Sequence, residues 1–149
     1  MGIKRIVADA LGSALVGIAR LPGHQFFSYA INRFMEHPGA VRKVAARNGD
    51  IAFWSANEIC WWRAETLLTK EPETIEWIDG FAEGDVYWDI GANVGVYALY
   101  AAKRTNVRVL AFEPSPFNYY ALCRNVELNQ LSESLSAYCL AFNNVSVLD

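Results

Sequence analysis

Two carboxylates and a glycine-spaced turn stand where a ligand site is most readily built. Asp89-Ile90-Gly91-Ala92-Asn93-Val94-Gly95 follows one apolar run, and Glu113 closes the next, eighteen residues beyond Gly95 and twenty-four beyond Asp89. The glycines allow a sharp strand-to-helix turn and let a ligand approach its backbone N–H groups without meeting a Cβ. A carboxylate at the end of the second strand accepts hydrogen bonds from both hydroxyls of a ribose. Turn and acid together, each at the end of its own expected strand, point to a nucleoside-bearing cofactor.

The spacing narrows the choice of cofactor. A dinucleotide turn reads G-x-G-x-x-G, but Asn93 and Val96 occupy the second and third glycine positions here, and no G-x-x-x-x-G-K-[ST] loop occurs. Phosphate is therefore not the expected ligand group, and a nicotinamide dehydrogenase is disfavoured. Asp89 would repel a pyrophosphate, yet it can receive the ammonium of an amino acid directly or through water. Adenosine joined to an amino acid describes S-adenosylmethionine, the expected cofactor. No catalytic base stands out. His24 and His37 are the only histidines, and both read as core, surface or helix-end side chains. Glu65, Glu71 and Glu73 precede the first strand and read most simply as acids at helix starts. No metal site is expected, because three or four convergent ligands are missing.

These residues need elements to position them. Residues 85–90 read as a buried strand, 94–104 as a helix and 106–113 as a second strand. Ser115-Pro116 reads as an N-cap and first-turn proline opening a helix to about Asn129, and 135–140 as a third strand. Strand and helix in alternation make an α/β fold with a parallel sheet and crossover helices, whose ligands bind beyond the carboxyl ends of the strands. Residues 1–66 read as an accessory region, with a boundary near Thr66 to Glu71. In it Ile3, Ile6, Val7, Ala10, Leu11, Ala14, Leu15 and Ile18 form one helical stripe, broken at Leu21-Pro22-Gly23. A second helix is predicted over 25–35, a strand or hairpin over 49–62, and a further helix near Pro72. Trp61 and Trp62 are expected as core anchors rather than walls of a cleft.

Composition bounds the rest. The 149 residues are 53% hydrophobic and 19% charged, with a net charge of −3. This excludes a disordered tail, and the Ala10 to Ala19 run is too short to cross a bilayer. Cys60, Cys123 and Cys139 form no C-x-x-C pair, so a reduced, cytoplasmic protein is expected. Residues 1–47 carry seven Lys/Arg against Asp9 and Glu36, a balance of +5; the remainder carries six against fourteen, a balance of −8. The basic residues are diluted by apolar ones, so nucleic acid is not an expected partner. The Ile3–Ile18 stripe is expected to pack on the chain or on a second copy, with weak membrane contact as the other use.

Val86-Tyr-Trp-Asp-Ile-Gly-Ala-Asn-Val-Gly-Val-Tyr97, Phe112-Glu-Pro-Ser-Pro-Phe-Asn118, Leu122 with Asn125, and Leu128-Asn129 resemble the FkbM family of S-adenosylmethionine-dependent methyltransferases. The run from Arg63 to Ile78 is similar to that family's lead-in. The resemblance covers about residues 57–149. It implies a class I, Rossmann-like methyltransferase domain beginning near residue 67, and methyl transfer to a hydroxyl of a sugar or other small molecule. It places Asp89, Gly91, Ala92, Asn93 and Gly95 in the first cofactor loop, Glu113 on the ribose, and Ala141, Phe142 and Asn143 beside the adenine. Asn118 and Asn125 match a helix they are expected to brace. The family continues beyond the third strand whereas this sequence stops at Asp149. The chain is therefore expected to be the first half of the domain, completed by another chain or else a remnant that binds cofactor weakly or serves as an interaction module.

Overall fold

The computed structural model describes residues 3–18, 20–36, 40–55, 57–104 and 106–143. They fall into two compact units, Met1–Ala40 and Val41–Asp149. The first holds helices α1 (Ile3–Ile18) and α2 (Gln25–Glu36), as the apolar periodicity predicts. Gly23, at φ +85°, occurs in the turn between them, where only glycine is free of steric cost. No helix among the described residues is long and apolar enough to cross a membrane. His37 lies outside the described residues.

The second unit opens with an antiparallel hairpin of β1 (Val41–Val44) and β2 (Ile51–Trp54), followed by α3 (Glu58–Glu65) and α4 (Pro72–Asp79). The strand expected over 49–62 therefore ends at Trp54. Asn57 is extended and its side chain accepts the Cys60 N–H at 2.9 Å, an N-cap that turns the following residues into helix. The positions of α3 that reach the core are Cys60 and Ala64, one turn apart. Trp61 and Trp62 are 47% and 46% exposed, which corrects the core-anchor expectation. The Arg42 guanidinium lies over Trp61 at 4.4 Å, and Arg63 and Lys70 lie over Trp62 at 5.4 and 5.7 Å. Half-exposed rings of this kind hold cations rather than a core. Ile51 and Phe53 do enter the core, so the hairpin is built into the compact unit with the sheet, upstream of the boundary expected near residues 66–71.

The sheet consists of β3 (Val86–Ile90), β4 (Arg108–Phe112) and β5 (Leu135–Tyr138), all parallel and in that order. The crossovers are α5 (Val96–Ala102) and α6 (Pro116–Leu128), the latter with proline at its first position. Asp89 lies opposite Ala111 and Ala111 opposite Ala137. Tyr87, Asp89, Val109, Ala111 and Leu135 are buried, whereas Val86, Trp88 and Ile90 are exposed. The strand expected to be buried thus has one covered face and one open one. On the open face Trp88, Phe112 and Tyr138 form an aromatic ladder with centroids 5.5 and 5.2 Å apart.

One contact sets how closely the crossovers approach. Gly95 adopts φ +86°, and a Cβ there would stand 2.4 Å from Cδ1 of the fully buried Leu122. Gly91 adopts φ +83° but a Cβ there would meet nothing within 4 Å. Gly95→Ala is therefore expected to cost about 2–4 kcal/mol through left-handed strain plus overpacking, and Gly91→Ala about 1–2 kcal/mol through strain alone. Denaturant midpoints of the two variants check the difference.

Candidate functional site

Because β3 and β4 run parallel, their carboxyl ends finish side by side. Strand alternation points Asp89 and Ala111 to the helix-covered face and carries Glu113, two residues on, to that same face. Glu113 is buried, 5% exposed. Its Oε2 accepts the Asn93 N–H at 2.8 Å, and its Oε1 accepts the Ser115 N–H at 2.8 Å and the Asn118 Nδ2 at 3.4 Å. The carboxylate ties the loop after β3 to the loop after β4.

Every amide of the glycine turn has an acceptor inside the protein. The Gly91 and Ala92 N–H groups donate to the Phe112 carbonyl at 2.9 Å, and the Gly95 N–H donates to the Ala92 carbonyl at 2.8 Å. The Asn93 N–H goes to Glu113, and the Val94 N–H to the Asn93 side-chain oxygen at 3.0 Å. This corrects the expectation that the turn offers its N–H groups to a ligand. Asn93 reaches its place with φ +53°, a conformation asparagine tolerates better than most residues. What the turn presents is carboxylate oxygen and bare glycine surface, since nothing beyond its own chain neighbours lies within 4 Å of the position a Gly91 Cβ would take.

Asp89 is the unusual member. It is 8% exposed, and its Oδ2 is buried without a hydrogen-bond partner. Burial pushes its pKa up to about 6; the Ala98 amide and the Tyr87 hydroxyl pull it down, and the Glu113 charge adds to the rise. A buried carboxylate oxygen without a partner is costly. It is an acceptor in want of a cation or donor.

Asp89, Gly91, Ala92, Asn93, Gly95 and Glu113 therefore gather at one sheet edge. Phe142 follows β5 in the chain and sets its ring edge-on to Phe112 at 4.8 Å, with Asn143 next to it in the chain. Strand alternation alone would have placed Tyr87 beside Asp89, a neighbour not singled out from the sequence. Ser115 does not cap α6 with its side chain; its backbone N–H serves Glu113 instead. Glu65 pairs with Arg42, and Glu71 with Lys70 at 2.7 Å. Among the described residues no cluster of His, Cys, Asp and Glu is arranged to hold a metal.

No protein-family model matches the chain. It is 40% identical over 50 residues to the methyltransferase sdnD of Sordaria araneosa, covering 33% of this chain and 19% of that protein. It is 33% identical over 64 residues to the hexuronic acid methyltransferase AglP of Haloferax volcanii, covering 43% and 26%. The matched stretches thus span about a fifth to a quarter of these relatives. In structure it is similar to the M. jannaschii tRNA m1G37 methyltransferase, with a TM-score of 0.51 at 17% identity over 72% of this chain and 32% of that one. The Pyrococcus horikoshii protein PH0793 aligns with a TM-score of 0.51 at 19% identity, over 68% and 37%. The fold is that of the class I methyltransferases. The three strands and two crossovers form part of that fold, and the glycine turn and Glu113 lie at its sheet edge.

The Asp89 environment fixes a pH dependence. The folded-state pKa of about 6 lies above the ordinary 3.8, so between these values the unfolded chain gives up a proton that the folded chain retains. Stability therefore falls as pH rises through this window. Relative to Asp89→Asn, the unaltered protein is expected to lose on the order of 1–3 kcal/mol between pH 4 and 7. Parallel denaturant titrations of the two proteins at several pH values measure it.

Proposed function

We propose that this edge binds S-adenosylmethionine and that the protein contributes the cofactor side of a methyltransferase acting on a hydroxyl of a sugar or other small molecule. The observation that carries the reading is a glycine turn whose amides are all engaged internally, flanked by two buried carboxylates. Such a turn has no N–H to give a phosphate. It suits a nucleoside that carries a cationic amino acid.

Each residue has a role in this reading. The Glu113 oxygens accept two backbone N–H groups and, at 3.4 Å, the Asn118 side chain, and a carboxylate has about four lone-pair sites, so one site is open to a ribose hydroxyl and the long Asn118 bond yields its place to the second. Asp89 receives the ammonium at its unpaired Oδ2. Gly91 leaves space for the cofactor against the backbone, and Ala92, Asn93 and Gly95 hold the turn in shape. Phe142 and Asn143 flank the adenine. When bound, S-adenosylmethionine supplies an activated methyl group for in-line displacement by the acceptor oxygen, so the protein's work is alignment and exclusion of water. The motif resemblance to the FkbM family supports a hydroxyl as acceptor, and the similarity to a hexuronic acid methyltransferase supports a sugar.

Calorimetric titration of the purified chain with S-adenosylmethionine, with NAD as control, tests the reading. Saturable binding of S-adenosylmethionine alone is expected. Glu113→Gln should weaken it about tenfold or more, the scale of a lost charge-assisted hydrogen bond. Binding should tighten as pH rises through about 6, as Asp89 ionises, and Asp89→Asn should abolish that dependence. Binding of NAD in place of S-adenosylmethionine, or unchanged affinity in a folded Glu113→Gln protein, would overturn the assignment.

A further inference from the structure

Asn125 is a fully buried polar side chain, at 0% exposure. It does not brace its own helix. Its Oδ1 accepts the Trp54 N–H of the hairpin at 2.7 Å, and its Nδ2 donates to the Val94 carbonyl of the glycine turn at 2.8 Å. One carboxamide thus joins α6, the edge of β2 and the middle of the turn. Asn129, one helical turn on, provides a natural comparison. Its Oδ1 accepts the Ala52 N–H at 2.9 Å, and its Nδ2 donates to the Ala52 and Asn125 carbonyls at 2.7 Å. Asn129 holds the same hairpin, and these hydrogen bonds go to Ala52 and Asn125 rather than to the turn.

We infer that Asn125 is a positioning residue for the cofactor turn, which it fastens to the β1–β2 hairpin outside the parallel sheet. The turn is held at three successive residues. Glu113 holds Asn93 by its N–H, Asn125 holds Val94 by its carbonyl, and Leu122 packs against Gly95. The middle hold comes from a side chain whose other end is committed to the hairpin. A buried carbonyl that loses its donor must find another or move, and here the segment that moves carries the bond to Glu113. The turn and the end of β2 are therefore fastened to one side chain.

The inference rests on the cofactor reading above, and the test separates the two. Asn125→Asp keeps the acceptor for Trp54 and replaces the donor to Val94 with an oxygen; Asn129→Ala removes the hairpin bonds and keeps the one to Val94. S-adenosylhomocysteine affinity by calorimetry is expected to fall about tenfold or more in Asn125→Asp and to stay within about twofold in Asn129→Ala. Hydrogen exchange should quicken in residues 92–99 for the first variant and in residues 51–54 for the second. Asn125→Ser serves as a second carrier of the same loss should the aspartate prevent folding. Equal loss of affinity in the Asn125 and Asn129 variants, or exchange in 92–99 that neither Asn125 variant alters, would overturn the inference. If the unaltered protein binds no S-adenosylhomocysteine, the cofactor reading fails, and the exchange comparison still decides whether Asn125 holds the turn.

Discussion

The buried carboxylate of Glu113 is the constraint on which the rest of the edge depends. One oxygen takes the amide of Asn93 and the other that of Ser115, so the loops after β3 and β4 are fastened to one charged group. Charge-assisted bonds of this kind are stronger than neutral ones. They draw the turn inward, and the remaining turn amides find acceptors in Phe112, Ala92 and Asn93. The polarity of the site follows: acceptors outnumber donors at the place where ligands of open α/β sheets bind.

Local rules are broken in the same few residues. Gly91, Asn93 and Gly95 all take positive φ, and Asp89 is buried with an unpaired oxygen. Glycine adopts positive φ freely, but the Asn93 backbone and the unpaired Asp89 oxygen each cost free energy in isolation. The surroundings make them persist. Gly95 is pressed against Leu122, Asn93 is held by Glu113, and Val94 is held by Asn125. The turn is thus supported from three directions.

The two sheet faces divide the labour. The helix-covered face buries Val109, Ala111 and Leu135 and carries the carboxylates at its end. The other face presents Trp88, Phe112 and Tyr138, with Phe142 folded back on Phe112. That contact lays the chain beyond β5 over the open face, against Phe112 and Trp88. An aromatic ring approaching edge-on is a favoured geometry and adds to the apolar area it covers.

The sequence by itself determined the alternation of strands and helices from β3 onward, the parallel sheet, and the ends on which Asp89 and Glu113 stand, whereas β1 and α3 were not legible in it. The legible features follow from patterns within a few residues: apolar runs, a proline at the start of α4 and of α6, and glycines at the turn. Tertiary structure decided where the hydrogen bonds go. Asn93 meets a carboxylate twenty residues away, Trp54 meets an asparagine seventy-one residues away, and Ala52 one seventy-seven away. It decided too that Trp61 and Trp62 carry cations instead of filling the core, and that the turn's amides face inward. Periodicity reports which face of an element is apolar. It carries no information on which distant donor and acceptor that face brings together, because a hydrogen bond depends on a few tenths of an ångström that only the packed chain sets.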